Sequence, residues 1–171
     1  MREHLLADAR VRRAPRVALY AALGDEVPTR PLFEALAEVG CVRLLPRVGA
    51  GGLEFAPVDA WEALRRGPFG VLAPPERSLA VALDPVDVAL LPGVAFDTAG
   101  HRLGRGGGHY DRAFADPRSS PLLVGVAFRV QIVAAVPYDS RDRAVDAIVT
   151  EDGLRRAGAS GWSPVGESGS P

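Results

Sequence analysis

An apolar run at Val86–Val94, bounded by Pro85 and by the Pro92–Gly93 pair, constrains the fold of this chain more than any other segment. A run this short and this apolar is typical of a strand buried on both faces, as in the centre of a parallel sheet. Apolar segments before and after it alternate with stretches of helical spacing. This alternation predicts right-handed β-α-β units, and therefore an α/β fold with three α/β/α layers and a mostly parallel central sheet.

The remaining predicted elements follow the same apolar patterns. Strands are predicted at residues 16–23, 42–48, 122–128 and 144–150, and helices at residues 3–14, 30–39, 111–116 and 129–135. A chain of 171 residues with 47% hydrophobic content favours one domain, which we expect to span residues 1–157. Residues 158–171 are rich in Gly, Ser and Pro, and they are expected to form a disordered tail.

Charge and hydropathy limit the partners of this chain. A formal net charge of −1 gives no sign of the basic surface that nucleic-acid binding requires. No apolar run approaches the ~18 residues needed to span a bilayer, and the amino terminus lacks the apolar core of a signal peptide. We therefore expect a cytoplasmic protein, a monomer or small homo-oligomer, that binds small molecules and neither nucleic acid nor membranes.

A glycine-rich loop lies downstream of the apolar run, where four of the 19 glycines fall within five positions: Gly104, Gly106, Gly107 and Gly108. Glycine backbones can turn successive N–H groups toward an anion, and Arg102 and Arg105 would add positive charge. Asp111 offers an oxygen ligand of the type that Mg²⁺ prefers. The loop therefore indicates a phosphate site, although a plain connection from a strand to a helix remains an alternative.

Two common phosphate-binding signatures do not describe this loop. A Walker A loop ends in Gly-Lys-Ser/Thr, whereas all 20 Lys and Arg residues of this chain are arginines. The dinucleotide pattern Gly-x-Gly-x-x-Gly is also absent, because the glycines here are followed by His109, Tyr110 and Asp111. Neither a P-loop nor a Rossmann site for NAD is indicated.

The residues that flank the loop extend the pattern in both directions. Pro-Gly-x-x-Phe-Asp at residues 92–97 and Gly-x-Arg-Leu-Gly-x-Gly-x-Gly-x-Tyr-Asp-Arg at residues 100–112 resemble the signature of 5-formyltetrahydrofolate cyclo-ligases, also called methenyltetrahydrofolate synthetases. More of the family pattern occurs in order at residues 18–20, 26–29, 45–48, 53–55 and 136–146. The resemblance therefore covers roughly residues 17–151.

The resemblance implies an ATP- and Mg²⁺-dependent enzyme that converts 5-formyltetrahydrofolate into 5,10-methenyltetrahydrofolate and releases ADP and phosphate. It implies a nucleotide site at Arg102, Gly104, Arg105, Gly106, Gly107, Gly108, Tyr110 and Asp111, with Arg102 and Arg105 also catalytic. It implies contacts to the reduced folate from Glu26, Phe55, His109 and Tyr110. The same resemblance implies that Asp111 and Asp142 hold the Mg²⁺ ion.

Some of these residues have a simpler structural alternative. Asp111 could cap the following helix, Asp142 could lie in a solvated, arginine-rich loop, and Phe55 could pack in the core. Ala73 stands where members of the family carry a polar side chain.

The amino terminus also departs from the family, which normally has about 30 further residues that include a basic helix. Only 15 residues precede the first predicted strand, so we hypothesise that arginines within residues 2–13 fold over the nucleotide. Two other functions stay open at this point: a relative that binds nucleotide or folate without catalysis, and an ATP-using enzyme of the same fold that acts on another small molecule.

Overall fold

The computed structural model describes residues 1–67, 70–83, 86–116 and 120–158. Its strands are β1 (Arg16–Ala18), β2 (Val42–Gly49), β3 (Gly52–Pro57), β4 (Arg65–Arg66), β5 (Leu72–Ala73), β6 (Val88–Leu91), β7 (Ala95–Asp97), β8 (Arg102–Leu103), β9 (Leu122–Val126), β10 (Ile132–Val133), β11 (Ala147–Thr150) and β12 (Gly153–Arg156). The helices are α1 (Arg2–Ala7), α2 (Ala9–Arg12), α3 (Arg30–Glu38) and α4 (His109–Ala113).

The main sheet has the strand order β12-β11-β9-β6-β1-β2-β3. The five inner strands, β11, β9, β6, β1 and β2, are all parallel to one another. The edge strands β3 and β12 are antiparallel to β2 and β11. The predicted α/β fold with a mostly parallel central sheet is therefore confirmed.

Strand β6 lies at the centre of this sheet, as the apolar run predicted, and all four of its residues are buried. Val88 and Leu90 belong to the core cluster that includes residues of α1, α2 and α3. Ala89 and Leu91 belong to the cluster on the opposite face, which includes Phe96 and Phe114. The continuous apolar sequence of β6 thus follows from burial on both faces of the sheet.

Helix α3 forms where its apolar spacing predicted it. Pro31 lies in the first helical turn, where its missing N–H costs nothing, and Leu32, Phe33 and Leu36 are buried. Gly40 follows the helix with φ of +76°, a backbone conformation that favours glycine. The helix therefore ends about where its sequence signals placed it.

The amino-terminal segment forms two short helices rather than the single helix predicted over residues 3–14. Asp8 lies between α1 and α2 in an extended conformation, and its side chain accepts a hydrogen bond from the Arg10 backbone N–H at 2.8 Å. This aspartate therefore caps α2 and interrupts what would be one helix.

A small second sheet with the order β10-β7-β8 covers the other face of the main sheet. The helix predicted over residues 129–135 is wrong, because a 3₁₀ turn at Arg129–Gln131 is followed by β10, which pairs with β7. Phe96 of β7 packs on Gly125 of β9, where an added Cβ would lie 2.5 Å from the ring. Pairing with β7, rather than local helical preference, decides the structure of this segment.

Two further findings concern the ends and surface of the fold. In the ranges that the structure describes, no helix is long and apolar enough to cross a membrane. Of the predicted tail, Gly158 donates a backbone hydrogen bond to the Thr98 carbonyl at 3.3 Å. The rest of that predicted tail, residues 159–171, lies outside the described residues.

Candidate active site

A cleft of about 560 Å³ opens at the carboxyl-terminal edge of the parallel strands, where α/β folds usually bind ligands. Residues that follow β1 and β6, together with residues in the second half of β2, form its floor. The glycine loop and the start of α4 form one side, and Val48, Leu53, Val71 and Ala73 form an apolar wall. The cleft therefore offers an apolar surface beside a surface rich in backbone N–H groups and arginines.

The glycine loop requires glycine at several positions. Gly106 and Gly108 have φ of +88° and +57°, in the region that other residues rarely adopt. At Gly107 an added Cβ would lie 2.6 Å from the ring of His109. Gly104, Gly107 and Gly108 line the cleft, whereas Gly106 is not among the lining residues of the described chain.

Arg102 is the buried cation of the cleft, with only 5% of its side chain exposed. Its Nη2 donates to Asp111 Oδ1 at 2.8 Å, and the guanidinium lies over the Tyr110 ring, 5.7 Å from the centroid. Its Nε–H is buried and has no hydrogen-bond partner in the described chain. A buried donor without a partner is costly, so the protein holds this guanidinium in the cleft at an energetic cost.

Glu26 and Arg105 face each other across the cleft. Glu26 Oε2 accepts a hydrogen bond from the Leu23 backbone N–H at 2.8 Å, which fixes the carboxylate. Its Oε1 lies 3.4 Å from Arg105 Nη2, and the Arg105 side chain is 62% exposed. The carboxylate is held by the backbone, whereas its arginine partner lies at the surface and can move.

Two tyrosines complete the floor of the cleft. Burial raises the pKa of Tyr20 above its ordinary range, and the negative charge of Glu26 raises it further. The pKa of Tyr110 is raised for the same two reasons. Both phenols therefore stay protonated at neutral pH and can donate hydrogen bonds. The Tyr20 hydroxyl already donates to the Val27 carbonyl at 3.2 Å.

The two predicted metal ligands differ in their surroundings. Asp111 lines the cleft, and its Oδ1 accepts from the Arg143 backbone N–H at 3.3 Å as well as from Arg102. Asp142, next to Arg143, does not line the cleft, and its Oδ2 accepts from the Asp139 backbone N–H at 2.8 Å. The described residues contain no group of three or more His, Cys, Asp or Glu that could hold a metal. A site shared by Asp111 and Asp142 stays a prediction.

The predicted folate contacts are divided between the cleft and the core. Glu26, His109 and Tyr110 line the cleft. Phe55 is 2% exposed, lies outside the cleft lining and packs against Phe114 with ring centroids 5.9 Å apart. This position favours the core-packing alternative for Phe55.

The amino-terminal arginines lie away from the cleft. Leu5 and Val11 anchor α1 and α2 in the core, and the His4 ring makes a 3.1 Å hydrogen bond with the Glu151 carbonyl beyond β11. In the described structure no arginine of residues 2–13 lines the cleft. The hypothesis that these arginines fold over the nucleotide therefore receives no support from this arrangement.

Sequence reasoning gave no role to two residues that line the cleft, Tyr20 and Arg47. Both fall within the family pattern, at residues 18–20 and 45–48. Tyr20 lies two residues beyond β1, and Arg47 lies in the second half of β2. Their position toward the carboxyl ends of parallel strands was the signal that could have marked them, because ligands bind at that edge of the sheet.

Comparisons with known proteins agree with these features. The sequence model of the 5-formyltetrahydrofolate cyclo-ligase family matches residues 1–151. The chain is 26% identical to the mouse 5-formyltetrahydrofolate cyclo-ligase over 167 residues, which cover 88% of this chain and 80% of the mouse protein. It is 32% identical to the Mycolicibacterium smegmatis 5-formyltetrahydrofolate cyclo-ligase over 142 residues, or 78% of this chain and 72% of that protein.

A solved structure gives the same result for the fold. The NMR structure of Aquifex aeolicus 5,10-methenyltetrahydrofolate synthetase superimposes with a TM-score of 0.79 at 32% sequence identity. The match covers 98% of this chain and 84% of that one.

Proposed function

The chain belongs to the 5-formyltetrahydrofolate cyclo-ligase family, and we propose that its cleft is where ATP drives the conversion of 5-formyltetrahydrofolate into 5,10-methenyltetrahydrofolate. The family match supports the reaction. One observation supports its assignment to this cleft: a fixed carboxylate, Glu26, lies beside the cations Arg102 and Arg105 and the glycine loop. The cleft thus combines a partner for N–H donors with partners for phosphate oxygens.

Glu26 is the proposed anchor for the pterin ring of the folate. A pterin presents paired N–H donors on its amino-pyrimidine edge, and a carboxylate can accept both with charge-assisted hydrogen bonds. Because Leu23 already fixes one oxygen of Glu26, the carboxylate needs little reorganisation when the ring binds. His109 and Tyr110 would contact the same substrate from the opposite side of the cleft.

The glycine loop and the two arginines are the proposed site of the ATP phosphates. In the reaction, the formyl oxygen takes the γ-phosphoryl group and ADP leaves. N10 of the folate then forms a bond to the activated formyl carbon, the C–O bond breaks to release phosphate, and N10 loses its proton. Phosphoryl transfer depends mainly on positioning and on neutralising charge, which Arg102, Arg105 and the loop N–H groups can provide.

Mg²⁺ is part of this proposal, with Asp111 and Asp142 as its ligands. Mg²⁺ prefers carboxylate oxygens and is commonly bound by one or two of them together with substrate phosphates, so two carboxylates suffice. Asp111 lines the cleft, and its Oδ2 makes no hydrogen bond within the described chain. The ion would supply positive charge to the phosphate oxygens when it is bound.

The metal assignment predicts a specific loss in one variant. Asp142→Asn should raise the Mg²⁺ concentration needed for half-maximal tightening of ADP binding by about tenfold, because one charged ligand is lost. Titration calorimetry of ADP at several Mg²⁺ concentrations measures this. Asp139→Asn is the matched control, since Asp139 lies in the same loop and pairs with Arg141 at 2.8 Å. If the two variants respond alike to Mg²⁺, Asp142 is not a ligand.

The reaction itself is tested by turnover of 5-formyltetrahydrofolate with ATP and Mg²⁺, followed by the absorbance of the methenyl product and by ADP release. Product formation that depends on ATP supports the proposal. Binding of folate and ATP without product would instead indicate a binding protein. We also propose that the protein is cytoplasmic, that it is a monomer or small homo-oligomer, and that it has no nucleic-acid or membrane partners.

A further inference from the structure

Arg47 connects the main sheet to a turn beside the cleft. Its Nη1, which carries two N–H groups, lies within hydrogen-bond distance of three carbonyls of the turn at residues 75–78, those of Pro75 at 2.7 Å, Glu76 at 3.0 Å and Ser78 at 2.8 Å. In the described part of the chain, these are the hydrogen bonds that join this turn to the rest of the protein. The Arg47 side chain is 15% exposed, so its contacts are largely shielded from water.

Glu54 orients Arg47 from the neighbouring strand. The two residues are directly opposite each other in the β2–β3 pair, and Glu54 Oε2 lies 3.1 Å from both Nε and Nη2 of Arg47. The Glu54 carboxylate also occupies the space above Gly49, where an added Cβ would lie 2.3 Å from Oε1. Glu54 can therefore reach Arg47 in this position because residue 49 has no side chain.

The turn at 75–78 directly follows the segment that supplies half of the apolar wall of the cleft. Val71 and Ala73 of this segment line the cleft opposite the glycine loop, together with Val48 and Leu53 of the β2–β3 hairpin. Arg47 holds both parts of the wall, because it lies on β2 and also binds the turn that continues from β5. The position of the wall relative to the rest of the cleft thus depends in part on one guanidinium group, beside the pairing of β5 with β4 and the hydrogen bond from the Val81 backbone N–H to the Phe55 carbonyl.

We propose that Arg47 and Glu54 are positioning residues that fix the apolar wall against which the rings of the folate pack. This inference rests on the proposed function, which places the phosphates of ATP on the glycine side of the cleft and the folate rings near Glu26 and the apolar wall. Arginine suits the task because a guanidinium presents several donors in fixed directions, whereas a lysine ammonium would not span Glu54 and the turn together.

The proposal predicts an effect on one substrate only. When Glu54 is lost, Arg47 keeps its charge without a fixed orientation, and the turn is released from the sheet. The KM for 5-formyltetrahydrofolate should then rise by about five- to tenfold, the equivalent of one ordinary hydrogen bond. The KM for ATP should stay close to that of the unmodified protein, because the glycine loop and its arginines are untouched.

The test uses two independent ways to displace the carboxylate and one matched control. Glu54→Ala removes it, and Gly49→Ala displaces it by steric contact. Gly51→Ala is the control, since it makes the same change in the same hairpin where an added Cβ meets nothing within 4 Å. Glu54→Gln keeps an oxygen that can accept from Arg47, so its KM for the folate should lie close to the original value.

A second measurement reports on the turn without turnover. Arg77 lies exposed in the turn and is a trypsin site, whereas Arg141 is an exposed trypsin site in another loop. Mass spectrometry of brief digests should show faster cleavage after Arg77, relative to Arg141, in Glu54→Ala and Gly49→Ala than in Gly51→Ala. Cleavage of a native protein follows local opening, so this ratio measures release of the turn.

Supporting results are a raised KM for the folate alone and a raised Arg77 cleavage ratio in both displacing variants. Unchanged values in both variants, equal rises of KM for ATP and folate, or an equal response of Gly51→Ala would each overturn the inference. If no variant changes the cleavage ratio while folate turnover is normal, the inference fails and the proposed function stands. If the unmodified chain does not turn over 5-formyltetrahydrofolate, the proposed function fails, and so does the assignment of this wall to folate rings.

Discussion

Arg102 carries a buried charge that is only partly satisfied within the protein. Asp111 neutralises it and Tyr110 lies beneath it, yet its Nε–H has no partner in the described residues. A phosphate oxygen beside the guanidinium would add a negative charge next to a cation that is already oriented. The burial that makes this arginine costly in the free protein is therefore what prepares it to bind an anion.

Arg102→Ala should weaken ADP binding by about 10- to 150-fold, because a charge-assisted contact is worth roughly 1.5–3 kcal/mol. Titration calorimetry with Mg²⁺ present measures the change. Arg141→Ala removes an exposed arginine that is 87% accessible and pairs with Asp139, so it serves as the control. Equal affinities in the two variants would show that Arg102 does not bind the phosphates.

Asp97 is a second buried charge, and the protein satisfies it completely. Its carboxylate accepts hydrogen bonds from the backbone N–H groups of Ala99, His101 and Val136 and interacts with the His101 ring at 3.0 Å. Although burial alone would raise its pKa, the hydrogen bonds from Val136 and His101 hold the pKa of Asp97 below its ordinary value. This carboxylate therefore ties the 97–101 loop, which precedes the glycine loop, to residue 136.

The lowered pKa of Asp97 sets the pH range of its contribution to stability. The stabilisation is complete above the unfolded pKa, ~3.9, and is lost as the pH falls through the lower pKa of the folded state. Asp97→Asn should lower the free energy of unfolding by about 1–3 kcal/mol at neutral pH, and the loss should shrink in acid. Urea unfolding at neutral pH and at acid pH measures the two free energies of unfolding, and Asp25→Asn, at an exposed position, is the control. A loss that is the same at both pH values would contradict the role of the charge.

At the scale of elements, long apolar patterns predicted the structure and short ones did not. The run that contains β6 is long enough to fix a central strand, and α3 carries helical spacing together with Pro31 and Gly40. β7, β8 and β10 have only two or three residues each, so pairing partners distant in sequence decide their structure. The sequence therefore predicted the five inner strands of the main sheet and missed both the edge strand β12 and the small sheet from which the glycine loop emerges.

The residues of the candidate site were also predicted only in part. The glycine loop and Arg102 could be identified from motif spacing and Glu26 from the family resemblance, and the structure places them in one cleft. Phe55 and Arg47 could not be judged in the same way, because both lie on paired strands where the partner strand decides which side chains reach the core and which reach the cleft. Such choices depend on register between segments and not on the local pattern.

The amino-terminal helices give a prediction at the same scale. Arg2 and Arg13 are exposed and do not line the cleft, so the double variant Arg2→Gln/Arg13→Gln should change the KM for ATP by less than about twofold, since distant surface charges are screened. Leu5→Ala should instead lower the free energy of unfolding by about 2–5 kcal/mol without changing that KM. Steady-state kinetics and urea unfolding measure the two effects. A large rise in KM for the double variant would mean that these helices move over the nucleotide.

At the scale of the whole molecule, the cleft joins loops from opposite parts of the chain, and one ion pair connects its two proposed subsites. Arg105, proposed to bind phosphate, lies 3.4 Å from Glu26, proposed to bind the pterin. When the pterin takes the Glu26 carboxylate, Arg105 loses its partner and becomes free for phosphate oxygens. Binding of one substrate should therefore favour binding of the other, and thermodynamic linkage requires the effect to be mutual.

This coupling is measurable with ADP, which binds without turnover. Saturating 5-formyltetrahydrofolate should tighten ADP binding by about two- to fivefold, a range set by the modest strength of an ion pair whose arginine is exposed. Arg105→Ala should bind ADP more weakly, and the folate should no longer change its affinity. Titration calorimetry with and without folate gives both numbers, and Arg141→Ala should keep the coupling. If the folate tightens ADP binding equally in Arg105→Ala, the connection between the two subsites runs through other residues, because the ion pair with Glu26 is then absent.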